Sequence, residues 1–225
     1  MWTRFDVTWE FLTPLCASMP ADPNLIKAWL DARKPRVRPP TSRSIDELAE
    51  EAISTLEEPA KEPESMLLVF QRRDGHFVVR MDTIRAHLKD CAQVLSSLYT
   101  TRVRGERSFA VKVKNALYWD PAWYWVSVRR KGQDEAVTAP NGIIERPVHS
   151  MTPQGQISAL KAFEYVDDAL LQFPLFILTS PSGPIIKESD LKTLMQYGGL
   201  HGYAGERSRE GGRYVFTIQQ GTEDE

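Results

Sequence analysis

The chain has 225 residues, of which 42% are hydrophobic and 26% are charged, and its formal net charge is −2. This balance predicts a soluble globular protein with a full core, and the near-neutral charge excludes a protein held to nucleic acid by bulk electrostatics alone. No segment approaches the roughly 20 uninterrupted apolar residues of a membrane helix, and the N-terminus lacks a signal-peptide pattern. We therefore expect a cytoplasmic protein with no membrane partner.

The cysteines and charges are distributed unevenly along the chain. Cys16 and Cys91 fall within apolar patterns and lack metal-ligand spacing, which indicates buried thiols, and we expect neither a metal nor another cofactor. Residues 33–65 carry a basic cluster followed by an acidic one and are interpreted as an insertion, and residues 221–225 form an acidic tail. Such runs are often solvated surfaces, so any nucleic-acid contact is expected to be local.

The N-terminal part predicts one strand and two helices. Residues 5–12 alternate apolar and polar side chains, which indicates a half-buried strand. A short amphipathic helix begins at Asp22, and an acidic helix covers residues 44–57 before a linker at 59–65. The side of the first strand expected to face the core consists of Phe5, Val7, Trp9 and Phe11.

A hairpin and a long helix are predicted next. Residues 66–70 and 76–80 are joined at Asp74-Gly75, a pair suited to a tight turn with positive φ. Asp82 can cap the following helix, which carries Arg85 on its polar side. Its inward stripe consists of Ile84, Leu88, Cys91, Ala92, Leu95 and Leu98, with Lys89 opposite and His87 at the boundary.

The middle of the chain combines aromatic and basic residues. Residues 108–117 alternate and predict a strand, with Lys112 and Lys114 on its basic side. We interpret residues 118–142 as an aromatic-basic hairpin insertion, because it holds half of the chain's tryptophans next to several cations. Rings beside cations favour single-stranded nucleic acid, although the same pattern is typical of a core or a subunit interface.

The C-terminal part predicts strands at 143–148, 157–166 and 171–179, with a loop at 149–155 and a turn at Asp167-Asp168. A helix with its C-cap at Gly198 or Gly199 and a strand at 213–218 complete the chain.

A glycine-rich loop spans residues 198–213, between the last predicted helix and the last predicted strand. Its glycines stand beside Arg207, Arg209 and Arg213. Such a backbone can approach a ligand closely and can offer amides and guanidinium groups to phosphate oxygens. The alternative is a mobile surface loop.

The element order predicts an α+β protein: an antiparallel sheet with helices on one face, in a ferredoxin-like, RRM-like core with insertions. Its C-terminal glycine-rich loop resembles the hallmark of the RAMP superfamily, the backbone and processing subunits of CRISPR effector complexes. Residues 84–92 also resemble the start of the first long helix of RAMP backbone subunits, with Ala86 in place of an expected glycine. Met151-Thr152-Pro153-Gln154-Gly155 and Gly212-Arg213-Tyr214 are similar to stretches in uncharacterised phage and prophage proteins.

The resemblance covers most of the chain from residue 66 onward and implies a single RAMP-like domain over residues 1–225. It implies a non-catalytic subunit of a multi-subunit ribonucleoprotein in antiviral defence. The implied partners are RNA or single-stranded DNA and other protein subunits, including copies of itself. Through the resemblance, the expected contacts are Arg85, Lys89, Gly202, Gly205, Arg207, Arg209 and Arg213. From the aromatic and basic pattern, they are Arg102, Arg104, Arg107, Lys112, Lys114, Trp123, Trp125, Arg129 and Arg130.

Two alternatives stay open at this point. In a phage-encoded structural or protein-interaction protein, the aromatic segment and the acidic helix would be protein-protein surfaces. In a metal-independent endoribonuclease, His201 or His149 would serve as general acid or base. The absence of recognised catalytic motifs favours a role without catalysis.

Overall fold

The computed structural model describes residues 2–22, 24, 66–98, 109–152, 155–207 and 211–221. Over these residues the protein is an α+β fold with three α-helices and mostly antiparallel sheets. None of the helices in this part of the chain is long and apolar enough to cross a membrane. The body of the predicted helix after Asp22, the acidic helix at 44–57, the linker at 59–65 and residues 222–225 lie outside the described residues.

The chain forms fourteen strands in the described ranges. They are β1 (Trp2–Phe11), β2 (Leu15–Cys16), β3 (Met19–Pro20), β4 (Met66–Val69), β5 (Gln71–Arg73), β6 (His76–Arg80), β7 (Leu117–Tyr118), β8 (Trp125–Ser127), β9 (Arg129–Arg130), β10 (Gly142–Thr152), β11 (Gly155–Val166), β12 (Ala169–Ser180), β13 (Gly183–Pro184) and β14 (Tyr214–Gln220). The helices are α1 (Met81–Leu98), α2 (Phe109–Ala116) and α3 (Glu188–His201), with a 3₁₀ turn at Pro121–Trp123.

The main sheet is antiparallel and has β1 near its centre. Its strand order is β13-β12-β1-β14, and β7 and β9 also pair with β12. Trp9 lies opposite Leu171 of β12 and Phe216 of β14. The four residues predicted to face the core from β1 are all buried, which confirms the alternation seen in the sequence. They share one hydrophobic core with α1 and α3.

Two smaller sheets complete the described architecture. One has the order β10-β11-β4-β3, with β2 also paired to β11, and its β11-β4 pair is parallel. The other is formed by β5, β6 and β8. Because β11 and β12 belong to different sheets, the turn at Asp167-Asp168 carries the chain from one sheet to another.

The predicted strand at 108–117 is wrong, because most of this segment is helix α2. Phe109, Val113 and Ala116 are spaced at i, i+4 and i+7, which also fits one face of a helix, and Val113 and Ala116 are buried. The amide of Ala110 donates to Ser96 Oγ at 2.7 Å and ties α2 to α1. Val111, which suggested the alternation, is exposed.

The predicted hairpin at 66–80 is correct in its turn and wrong in one strand. Asp74 and Gly75 both have positive φ, at 52° and 76°, and connect β5 to β6. Met66–Val69 instead pairs with β3 and β11. Long-range partners, which local alternation does not reveal, therefore decide the pairing of β4.

The predicted aromatic hairpin and the predicted loop at 149–155 are also different in the structure. Residues 117–127 form β7, the 3₁₀ turn and β8, and they connect the main sheet to β6. Asp120 Oδ1 accepts the amide of Ala122 at 2.8 Å, which stabilises the 3₁₀ turn. Strand β10 continues to Thr152 and strand β11 begins at Gly155, so most of the segment predicted as a loop is strand.

Two helix ends differ from the prediction. Helix α1 begins at Met81, so Asp82 lies in its first turn rather than at its cap. Helix α3 continues past Gly198 and Gly199, and its C-cap is Gly202. A Cβ atom on Gly199 would overlap the carbonyl oxygen of Tyr214. This glycine therefore allows α3 to lie directly against β14.

Candidate nucleic-acid interface

A cleft of about 670 Å³ lies beside the glycine-rich loop. We call it the loop cleft. It is lined by residues 16–20, 68–71 and 78–80, by Thr83, Ala86, His87 and Asp90 of α1, by Lys161, and by Tyr203, Ala204 and Arg207. Arg80, Lys161 and Arg207 come from three different elements, and Asp90 is the one carboxylate in this described lining. The excess of positive charge favours an anionic ligand.

Three backbone amides of the glycine-rich loop donate hydrogen bonds to carbonyl groups of the protein itself. The Tyr203 amide donates to the Gly212 carbonyl at 2.9 Å, and the Gly205 amide donates to the Cys16 carbonyl at 3.2 Å. The Gly212 amide donates to the Pro14 carbonyl at 3.0 Å. The first of these bonds lies within the loop, and the other two fix the loop against the segment around β2, so the three amides are not free to donate to a phosphate.

The loop glycines pack against the protein's own backbone. A Cβ atom on Gly205 would meet the carbonyl oxygen of Ala17, and Gly212, with φ of 67°, lies against Tyr203. Gly202 is the buried C-cap of α3. Contact of Gly202 or Gly205 with a ligand stays a prediction, while their packing explains why glycine is needed.

Two residues of the loop have a strained backbone. Ala204 and Glu206 are not glycines, yet their φ angles are 66° and 59°. A left-handed backbone at such residues destabilises by roughly 1–2 kcal/mol each, and such strain persists where the surroundings hold it, often at ligand sites. Ala204 lines the loop cleft, and the exposed Arg207 follows directly on this strained segment.

A buried histidine lies under the loop. His87 is 3% exposed, so its prediction as a boundary residue is wrong. Its Nε2 lies 3.1 Å from the Tyr214 hydroxyl, and its ring packs edge-on against Trp9. Burial, with smaller effects from Arg207 and His201, lowers the pKa of His87 to about 3. The imidazole is therefore neutral and serves as a hydrogen-bonding group of the core.

Tyr203 connects the loop to helix α1. The Thr83 hydroxyl lies 2.7 Å from the Tyr203 hydroxyl and donates to the Arg80 carbonyl, also at 2.7 Å. Burial raises the pKa of Tyr203 well above its usual range, so the phenol stays protonated. Arg80 Nε lies 3.2 Å from a carboxylate oxygen of Asp82, which orients this cation at the cleft.

Arg85 lies in a separate aromatic cluster. Its guanidinium is 5.3 Å from the ring centre of Tyr118 and 5.4 Å from that of Trp119, and its Nη2 donates to the Lys114 carbonyl at 2.6 Å. Trp2 packs edge-on against Tyr118, and both rings are partly exposed. The structure therefore brings the predicted Arg85 and Lys114 to the aromatic segment, with Arg85 already over two rings.

The other tryptophans and basic residues named from the sequence are spread over the surface. Trp123 is 45% exposed, whereas Trp125 is half-buried with Arg73 at 6.0 Å over its ring. Lys89 and Lys112 are half-buried and Lys114 is exposed. Arg129 donates to Gln172 at 3.0 Å, Arg130 donates to Asn141 at 3.1 Å, and the amide of Arg213 donates to Thr13.

Several residues predicted to belong to a site lie outside the described residues. These are Arg102, Arg104, Arg107, Arg209 and the side chain of His149. His201 is exposed at the end of α3, with its ring parallel to that of Tyr197 at 5.7 Å. Among the described ranges, no group of three or more His, Cys, Asp or Glu residues is placed to hold a metal ion.

Sequence reasoning missed Arg80, Lys161 and Gln71 as residues of the cleft. Gln71 and Arg80 lie in the β5-β6 hairpin, but Lys161 of β11 and the loop residues 203–207 reach the same cleft only through the tertiary fold, so no local pattern could have placed them together. Comparison with known proteins gives no family: no family model matches the chain, and no curated protein matches it significantly.

Proposed function

We propose that this protein is a non-catalytic subunit that binds RNA or another single strand, within a multi-subunit ribonucleoprotein. The observation that carries this proposal is the loop cleft. Arg80, Lys161 and Arg207 converge there, and its volume falls in the range of small-molecule and nucleotide sites. Cations of this kind bind phosphate oxygens by charge-assisted hydrogen bonds and fix a strand without reading its sequence.

The topology of the main sheet supports a ferredoxin-like core, the finer expectation from the sequence. If β7 and β9 are counted together as one edge strand and the other elements as insertions, the chain order fits a β-α-β-β-α-β series made of β1, α1, this edge strand, β12, α3 and β14. Their antiparallel pairing places β1 between β12 and β14, with β7 and β9 on the far edge of β12. This is the arrangement that the RAMP resemblance implies, with the glycine-rich loop between α3 and β14.

The loop supports the proposal by fixing the position of Arg207. Internal hydrogen bonds hold the backbone on both sides of Ala204, and Glu206 forms an ion pair with Arg146 at 3.9 Å. Because the backbone before Arg207 is already fixed, binding of a phosphate has to order the side chain but not the loop.

The test is a titration of labelled single-stranded RNA and DNA of about 16 nucleotides, followed by fluorescence anisotropy at several salt concentrations. We expect binding that weakens with salt. Arg207→Ala should raise Kd by about three- to tenfold and lower the salt slope by about one. Lys192→Ala is the matched control, because it removes the same charge from an exposed position on α3 that does not line the cleft.

Two results would contradict the proposal: no binding at low salt, or equal effects of Arg207→Ala and Lys192→Ala. A clean protein without affinity for either strand would favour the protein-interaction alternative, for which the exposed Ile143 and Leu160 of the β10-β11 hairpin offer an apolar surface. Gel analysis of the same mixtures tests the ribonuclease alternative, in which strand cleavage would depend on His201.

A further inference from the structure

One buried polar group of the loop cleft has no partner. Gln71 lines the cleft and is 7% exposed, and its Nε2 has no hydrogen-bond partner among the described residues. A buried amide without a partner destabilises a protein, and such groups are few in native structures. A ligand that pairs with this carboxamide would remove the penalty.

The cleft has a buried apolar part and a more exposed basic part. Ala17, Leu68, Phe70 and Val78 are all buried, and the ring of Phe70 is stacked on that of Phe77 at 4.8 Å. Lys161 and Arg80 are half-buried and Arg207 is exposed. The apolar walls disfavour a charged group beside Gln71, while the cations favour one at the outer part.

A nucleotide has the two kinds of chemistry that these two parts require. A bare phosphate would leave the carboxamide and the apolar walls without a partner, and a purely apolar ligand would leave both the carboxamide and the cations unused. The unpartnered Nε2 of Gln71 can donate a hydrogen bond to the acceptor atoms that every base presents on its polar edge.

We infer that the loop cleft holds one unstacked nucleobase, with its polar edge paired to Gln71 and its phosphate beside Arg80, Lys161 and Arg207. This inference rests on the proposed function and deepens it, because it adds a base preference to binding through the backbone. The nucleotide is either one residue of the bound strand or a free mononucleotide.

The test compares the affinities of four single-base RNA strands of about ten nucleotides for the full chain. We expect the preferred base to bind at least about fivefold more tightly than the poorest one. Gln71→Met should remove this preference while retaining the affinity for the poorest strand. Gln93→Met, on the exposed face of α1, is the control and should keep the wild-type preference.

The fold of the variant is checked by thermal unfolding. Met has a similar shape to Gln and removes the unpaired amide, so Gln71→Met is expected to be as stable as the wild type or more so. Gln71→Leu provides a second variant if Gln71→Met fails to fold.

The outcomes separate this inference from the proposed function. Equal affinity for all four strands, unchanged by Gln71→Met, would overturn the base pocket and leave strand binding intact. If no strand binds, the proposed function fails, and titration with the four mononucleotides decides the pocket. Saturable binding of one mononucleotide that is lost in Gln71→Met would support a free nucleotide as ligand, and no such binding would overturn the pocket as well.

Discussion

The glycine-rich loop and the aromatic segment at residues 117–131 both combine features of a ligand surface, yet the structure uses them differently. In the loop, the amides of Tyr203, Gly205 and Gly212 donate within the protein, and the glycines pack against backbone. In the aromatic segment, Tyr118 and Trp123 keep partly exposed rings. The loop thus acts as a scaffold for the side chains around the cleft, whereas the aromatic segment offers its own side chains.

The amino-acid composition of a segment therefore does not show whether the segment is a scaffold or a contact surface. Glycines beside arginines suggested an accessible backbone, but the partners of that backbone are Pro14, Cys16 and Ala17, almost two hundred residues earlier. In our proposal, the loop contributes Arg207 to the cleft, where Arg80 and Lys161 come from other elements.

The largest expected effect is on the packing of α3 against β14. Gly199→Ala places a Cβ atom on the carbonyl oxygen of Tyr214, and we expect it to lower the free energy of unfolding by about 3 kcal/mol. Urea unfolding followed by circular dichroism measures this. Gln196→Ala, exposed on the same helix, is the control and should change stability by less than about 0.5 kcal/mol. A tolerated Gly199→Ala would show that the close approach is not required.

A smaller effect is expected from the buried histidine. The pKa of His87 lies near 3 in the folded protein and near 6.5 when unfolded, so the unfolded chain binds the proton first as pH falls. The contribution of His87 to the free energy of unfolding is fully present above pH 6.5 and is lost as pH falls toward 3. Between pH 7.5 and pH 5, we expect the free energy of unfolding to fall by about 2 kcal/mol for this reason.

Urea unfolding at these two pH values checks the prediction. His87→Gln should reduce the pH dependence of the free energy of unfolding relative to the wild type. His76→Gln, which removes an exposed imidazole from β6, should leave this difference in place. The same dependence in wild type and His87→Gln would show that the imidazole is not buried as described.

The smallest effect concerns the strained backbone of the loop. Ala204→Gly should stabilise the protein by up to about 1 kcal/mol, because glycine adopts the left-handed conformation without a Cβ penalty. Ala86→Gly, also in the cleft lining but within helix α1, should destabilise by about 1 kcal/mol. Thermal or urea unfolding compares the two, and a loss of stability in both would remove the evidence for strain at Ala204.

Much of the fold could be predicted from the sequence where one pattern had one interpretation. The alternation from Phe5 to Phe11 gave the buried side of β1, and the helical spacing from Ile84 to Leu95 gave the core face of α1. The segment at 108–117 failed because its apolar residues fit both a strand and a helix. The predicted coarse class, α+β with mostly antiparallel sheets, is confirmed.

The candidate site was harder to predict because it depends on contacts between distant parts of the chain. Arg207 was named from its position in the loop, but Lys161 of β11 and Gln71 of β5 join it only through tertiary packing. The role of Gly199 depends on Tyr214, which no local pattern indicates. The RAMP resemblance and the nucleic-acid partner stay predictions.

The most direct experiment locates the bound strand by ultraviolet crosslinking of a uridine-rich single strand, followed by mass spectrometry of the crosslinked peptides. If the strand binds in the loop cleft, we expect crosslinks in the peptides that contain its lining residues, namely 68–71, 78–80, Lys161 and 203–207. Crosslinks confined to residues 117–131, around the exposed Trp123, would contradict binding in the loop cleft and would assign the binding surface to the aromatic segment.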